Sequence, residues 1–219
     1  MNKILMTSLL MLMVVFSGCV TTRGMVTLNG PKLISQPENL NKIAIIKLVE
    51  DDRIFENKPK TPNIPSLKGG LDKATSEDKA RAIARKRNAY GQALGDIMLR
   101  EGTVASTVQK RVVSALNQAG YKVLPASEEN NQKADLIISV KINKFWSWVE
   151  LGFWAAKLNT EIETTILNEK KPTKETIVET KITKSVQAVT GAMWIKNTNL
   201  ALDDYEAKLV SKLKELNSN

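Results

Sequence analysis

The amino-acid sequence predicts an α+β fold: a mainly antiparallel sheet of about five strands with two helices packed on one face, plus an irregular basic insertion. Three observations predict it. Residues 135–189 carry three long apolar–polar alternations separated by turn residues, the period-two signature of half-buried strands. Residues 103–119 and 192–216 repeat apolar side chains at helical spacing. The stretch 50–71, with Pro59, Pro62, Pro65, Gly69 and Gly70, breaks any regular element. Antiparallel strands with one apolar face need a cover, and the two helices can supply it.

The chain starts Met1-Asn2-Lys3, continues uncharged and apolar from Ile4 to Phe16, and reaches Ser17-Gly18-Cys19. A basic start, an apolar run too short to span a bilayer and small residues before a break describe an export signal over residues 1–18. The break falls against the only cysteine of the 219 residues, which makes Cys19 a lipidation candidate. Residues 19–41 are polar, hold Gly24, Gly30, Pro31 and Pro37, and read as a flexible tether of use for reach. Met25 to Leu28 alternates weakly, and fits an edge strand as well as tether. Residues 42–219 are then expected to form one domain, with 50–101 as the proline-rich and basic insertion.

Within that domain, Lys42 to Val49 is β-branched and apolar, as a buried strand is. The segment Thr75 to Asn88 is expected to be helical. Ser76 is a capping residue, Glu77 and Asp78 suit the positive end, and Arg85, Lys86 and Arg87 suit the negative end. Gly91 and Gly95 then mark a turn or a close backbone approach. Val104, Val108, Val112 and Leu116 define the clearest helix, with Gly120 placed to end it. Tyr121 to Leu124 is a short strand and Ser127 to Lys133 a polar loop. Asp135 to Val149 and Phe153 to Leu167 form a long hairpin about a turn at 150–152, and Glu175 to Val189 is the third long strand. In the first of these, Leu136, Ile138, Val140 and Ile142 share a face with Trp146 and Trp148, leaving Phe145 on the other. The helix 192–216 closes the chain, with Leu209, Leu213 and Leu216 opposite lysines.

Composition narrows function more than motifs do. Apolar content of 42% and charged content of 25% allow an ordinary core. There is no histidine, which removes the commonest general base and metal ligand, and with it Ser-His-Asp, Cys-His and HExxH chemistry. Ser-Lys or paired-carboxylate chemistry is compatible with the composition but has no recognisable spacing here. No catalytic residue, cofactor or metal site is therefore expected. Without Lys3 the chain holds 31 basic against 23 acidic residues, a balance of +8 that favours anionic partners. Nucleic acid fits that charge but not an exported protein.

Two clusters are candidate contact sites. Arg81, Arg85, Lys86 and Arg87 form the densest positive run, suited to a phosphate-bearing lipid or an acidic protein, although a solvated helix face is the commoner use of such a run. Aromatic residues are scarce at 5%, yet Phe145, Trp146, Trp148, Phe153 and Trp154 crowd about Gly152. Aromatics with one polar atom favour interfaces, which makes Phe145, Trp148, Phe153 and Trp154 docking candidates. Tryptophan is also highly buried on average, so cross-strand core packing competes with docking.

Taken together, Phe16-Ser17-Gly18-Cys19, the early strand, the run Ala84-Arg85-Lys86-Arg87-Asn88-Ala89-Tyr90-Gly91-Gln92-Ala93-Leu94-Gly95-Asp96, Ala119-Gly120-Tyr121-Lys122-Val123 and the hairpin tip from Phe145-Trp146-Ser147-Trp148 to Gly152-Phe153-Trp154 resemble bacterial outer-membrane lipoproteins of the YajG type. The specific motif is the first; Phe16 stands where leucine is usual. The resemblance implies a lipid-anchored, non-enzymatic binding or assembly module facing the periplasm, joined to the membrane by acyl chains on Cys19. It implies no catalytic residues. Val20, rather than aspartate, after the cysteine implies the outer membrane. The expected partner is another envelope protein or anionic lipid; an accessory role in lipid or lipopolysaccharide transport is the alternative.

Overall fold

A computed structural model describes residues 23–32, 42–88, 92–152, 154–172 and 175–218 of the chain. The signal segment, Cys19 and Phe153 lie outside the described residues, so the expectations placed on them do too.

Among the described residues, eight strands form one curled, mixed sheet, not the five mainly antiparallel strands expected: β1 (Gly24–Val26), β2 (Lys42–Asp51), β3 (Ala82–Arg87), β4 (Ala93–Leu99), β5 (Tyr121–Leu124), β6 (Leu136–Leu151), β7 (Ala156–Asn168) and β8 (Glu175–Val186). Strand β2 runs parallel to both β5 and β6, while β6, β7 and β8 form the antiparallel meander that the alternation predicts. Among the described residues there are four α-helices: α1 (Ser76–Arg81), α2 (Val104–Gln118), α3 (Glu128–Lys133) and α4 (Gly191–Ser218). The long pair, α2 and α4, pack on each other and on one face of the sheet. Gly120, at φ 93°, takes the left-handed position that ends α2, as its place in the sequence suggests.

The organising strand is β6. At 16 residues it is roughly 50 Å long. One edge pairs with β7 throughout; the other is shared, first by β2 as far as Asp51↔Ile142 and then by β3 at Ala84↔Ser147. The junction is filled by Arg53, which is only 7% exposed. Its Nη1 donates to Phe145 O (3.0 Å) and Ala82 O (2.7 Å), its Nη2 to Lys79 O (2.8 Å), and both carboxylate oxygens of Asp51 accept from it at 2.7 Å. A guanidinium thus takes the donors' place where one strand leaves the edge and the next has yet to arrive.

A register shift between Ile142 and Lys144 changes which residues face the helices. Leu136, Ile138, Val140 and Ile142 point into the main core, and beyond the shift it is Phe145 that does so, fully buried. Trp146 and Trp148 point to the opposite face, where they join Leu67 and Ala82. The expected assignment is therefore reversed after position 142, because one extra residue in a strand flips every side chain beyond it.

Further corrections concern residues 50–101. Irregular chain covers 52–70, but it packs over the outer face of the sheet: Trp146 Nε1 donates to Pro62 O (3.1 Å), and Phe55 meets the Trp146 ring edge-on with centroids 6.0 Å apart. The expected helix 75–88 stops at Arg81 and becomes β3. Outside that stretch, the segment left open between tether and edge strand is resolved in favour of the strand at 24–26, which is β1 beside β4, and Ser127 caps the six-residue helix α3 where a loop was expected. Residues 29 and 30 are also held down: their carbonyls accept from the buried Arg111 of α2 at 3.0 and 3.3 Å.

Candidate functional site

Of the basic run, Arg85, Lys86 and Arg87 lie on β3 and Arg81 ends α1. Arg81 is spent locally: its Nε and Nη2 donate to Leu99 O at 3.0 and 2.8 Å, and its Nη1 pairs with Glu77 at 2.7 Å. The alternation of a strand separates the rest, with Arg85 and Arg87 on one face and the half-buried Lys86 on the other. The helical face that would have carried them together does not exist.

Arg85 and Arg87 instead line a cleft of about 350 Å³ with Lys60 and Pro62 of the irregular chain, Asn88, and Val149, Glu150 and Leu151 of the hairpin. Three cations face one carboxylate there, and that carboxylate is engaged: Trp148 Nε1 donates to Glu150 at 2.8 Å. Arg87 donates to the buried Ser66 hydroxyl at 3.2 Å. The Nε of Arg85 is buried and has no hydrogen-bond partner. Burial, followed by the Arg87 charge, pulls the Arg85 guanidinium below its ordinary pKa, while Asp96 acts in the opposite sense. Asp96, paired with Arg85 on the neighbouring β4, is 1% exposed; burial pushes its carboxyl up, against the Lys68 N–H at 2.9 Å and the charges of Arg85 and Arg23. The cleft is basic with an apolar lip, and side chains of this kind can hold an oxyanion by charge-assisted hydrogen bonds. Its lining offers no nucleophile paired with a base.

The aromatic candidates divide. Phe145 is core, and Trp148 is 2% exposed, with Lys181 Nζ 5.3 Å from its ring centroid. Both therefore pack the fold. Trp154 is 85% exposed and Leu151 62% exposed, so the hairpin tip presents two large apolar groups to solvent, as Ile54 (76%), Ile177 (58%) and Leu48 (52%) do elsewhere.

One group of carboxylates, Glu161, Glu163 and Glu179, comes together closely enough to suggest a metal, all within 4.8 Å. Lys144 already serves it, at 2.7 Å from Glu161 and 3.3 Å from Glu163, and the hydrogen bond to Glu161 raises the lysine pKa. It is an ion-pair cluster. Sequence reasoning missed Lys60, Arg53 and Leu151. Lys60 lies 25 positions from Arg85, and no local pattern links the two.

No family model matches the chain, and no curated protein matches it. Solved structures that resemble it include a Xanthomonas campestris protein of the DUF330 family (14% identity, 90% of this chain and 98% of that one, TM-score 0.47). Others are the minor lipoprotein of Acinetobacter baumannii (9% identity, 53% and 89%, TM-score 0.37) and PelC of Paraburkholderia phytofirmans, solved as a dodecamer (10% identity, 82% and 93%, TM-score 0.31). Likeness at this level assigns neither a family nor a function to the chain.

Proposed function

We propose that the chain is a lipid-anchored envelope protein of the YajG type, exported by residues 1–18, acylated on Cys19 and held at the outer membrane facing the periplasm. There it acts as a non-enzymatic binding or assembly module. The observation that supports this reading most is convergence. The basic and aromatic clusters, 50 and more positions apart in sequence, contribute Arg85, Arg87 and the Val149–Leu151 edge to one cleft beside the exposed Trp154. Among the described residues no helix is long and apolar enough to cross a membrane, which fits attachment by acyl chains. The space between the sheet and its two helices is filled by fully buried side chains such as Ile142, Phe145 and Leu202, which favours surface docking over enclosure of an acyl chain.

The test is a photo-reactive residue in place of Leu151 in intact cells. A single dominant protein adduct supports an assembly module and names the partner. Adducts to lipid alone would move an accessory role in lipid transport ahead, and an absence of adducts would remove the cleft from the account.

A further inference from the structure

The topology places the end of the sheet that carries the cleft beside the point where the chain leaves for Cys19. Strand β1 runs parallel to β4, β4 antiparallel to β3, and β3 parallel to β6. The start of β1 therefore faces the same way as the end of β6 and its hairpin tip. Register fixes the levels: Gly24 pairs with Ile97, Ile97 with Ala84, and Ala84 with Ser147. From Ser147 to Leu151 the hairpin extends four residues farther in that direction, roughly 13 Å at strand rise. From Gly24 back to Cys19 there are five residues, which span at most about 18 Å, so the tip stays within roughly 5 Å of the farthest level that Cys19 can reach.

We propose that this end of the molecule, formed by Lys60, Arg85, Arg87, Leu151 and Trp154, docks directly on the anionic surface of the bilayer that holds the acyl chains. The proposal rests on the Cys19 anchor put forward above. The anchor is too short to hold the domain away: an acylated Cys19 lies at headgroup level, and the tip comes within roughly 5 Å of that level or closer. The surface matches what it would meet. Lys60 and Lys157 are exposed, Arg85 and Arg87 flank them, and Glu150 is occupied by Trp148. Basic residues beside a membrane are drawn to acidic headgroups, and exposed Trp and Leu side chains settle at the boundary of headgroups and hydrocarbon.

The experiment uses the full acylated chain in vesicles of phosphatidylethanolamine with phosphatidylglycerol, carrying a fluorophore on Leu151→Cys. A control label on Glu129→Cys sits in α3, just before the far end of β6. Headgroup-level spin-labelled lipid should quench the first label about tenfold more than the second, because nitroxide quenching needs near contact and the labels sit at opposite ends of β6, roughly 50 Å apart. High salt, phosphatidylcholine vesicles, or Lys60→Gln with Arg85→Gln and Arg87→Gln should bring the ratio close to one while the protein still floats with the vesicles. The exposed pair Lys60→Gln and Lys157→Gln, which spares the half-buried arginines, should lower the ratio severalfold. A protein that floats with both labels equally unquenched overturns the docking. Equal quenching at 151 on neutral vesicles overturns its electrostatic basis. A chain that does not float at all overturns the anchor, and the docking with it.

Discussion

The two faces of the sheet are held by different means. Toward α2 and α4, the cover is a continuous apolar layer running from Ala44 to Leu213, and its one buried arginine, Arg111, pairs with carboxylates: Asp203 at 2.7 Å and Glu206 at 2.8 Å. On the opposite face, the cover is irregular chain over a small cluster of Leu67, Ala82, Trp146 and Trp148, and its buried arginine, Arg53, bonds three backbone carbonyls and Asp51. The helical face follows from periodic burial, which adjacent turns repeat. The outer face depends on single residues that replace missing ladder bonds. The cleft opens on the second face, where a site can be assembled from chain segments without disturbing the core.

Insertion of one alanine after Phe145 is the most disruptive change to this comparison. The added residue would turn Trp146 and Trp148 toward the helices, into the places of Ser147 and Val149, and leave the outer face without either indole. No repacking within rotamers absorbs two indoles in place of a serine and a valine. The expected outcome is loss of the native state, read as loss of near-ultraviolet circular dichroism; a native-like spectrum would show that the strand takes up the extra residue without turning its faces.

Legibility in the sequence divides along the same line. Val104, Val108, Val112 and Leu116, the alternation of 136–142, Gly120 and the final helix were readable because each signal is local and periodic. Strand β3 was not. Ala82, Ile83 and Ala84 are all fully buried between sheet neighbours, and alanines beside arginines look helical until β4 and β6 are known to flank them. The shift at Asn143 leaves no mark in the sequence, because the alternation resumes on either side of it. The cleft inherits both failures: its arginines were read on a helix, and Lys60 belongs to a segment whose only readable property was irregularity.

Arg111→Ala should cost about 3–5 kcal/mol, because it leaves Glu206, only 6% exposed, without its cation. Thermal unfolding should fall by roughly 10 °C. Ser114 and Gln118 still bond that carboxylate at 2.5 and 2.7 Å, and do not neutralise it. Adding Glu206→Leu to Arg111→Met should recover most of the loss, since a buried pair exchanged for apolar groups is often neutral; no recovery would show that the pair does more than balance charge. Arg53→Ala is expected to cost somewhat less in global stability, about 2–4 kcal/mol, because the groups it leaves unbonded are three carbonyls that carry no net charge and the partly exposed Asp51. Its effect should be local: limited proteolysis should cut within residues 54–70 first, where Arg111→Ala leaves that segment protected. Equal cutting in the two variants would erase the distinction between the faces.

The smallest effect is electrostatic and belongs to the outer face. Lys144 is drawn above its ordinary pKa of 10.5 by its hydrogen bond to Glu161, against a smaller cost of burial. A lysine whose folded value is raised contributes stability that is complete below the unfolded value and disappears as pH climbs through the folded one. Tyr205, buried in the helical face and held well above its ordinary value by burial, also weakens the fold in alkali, so the wild-type curve alone cannot separate the two. The difference from Lys144→Gln can, because Tyr205 is common to both proteins and 41 positions from Thr164, its hydroxyl partner across the core. Urea midpoints of the two should differ by a constant amount from pH 7 to 10 and converge above that, when the wild-type amine becomes as neutral as the amide. Parallel curves to pH 11.5 would show that Lys144 acts through packing of its methylenes, and would make the carboxylates of Glu161, Glu163 and Glu179 independent of it.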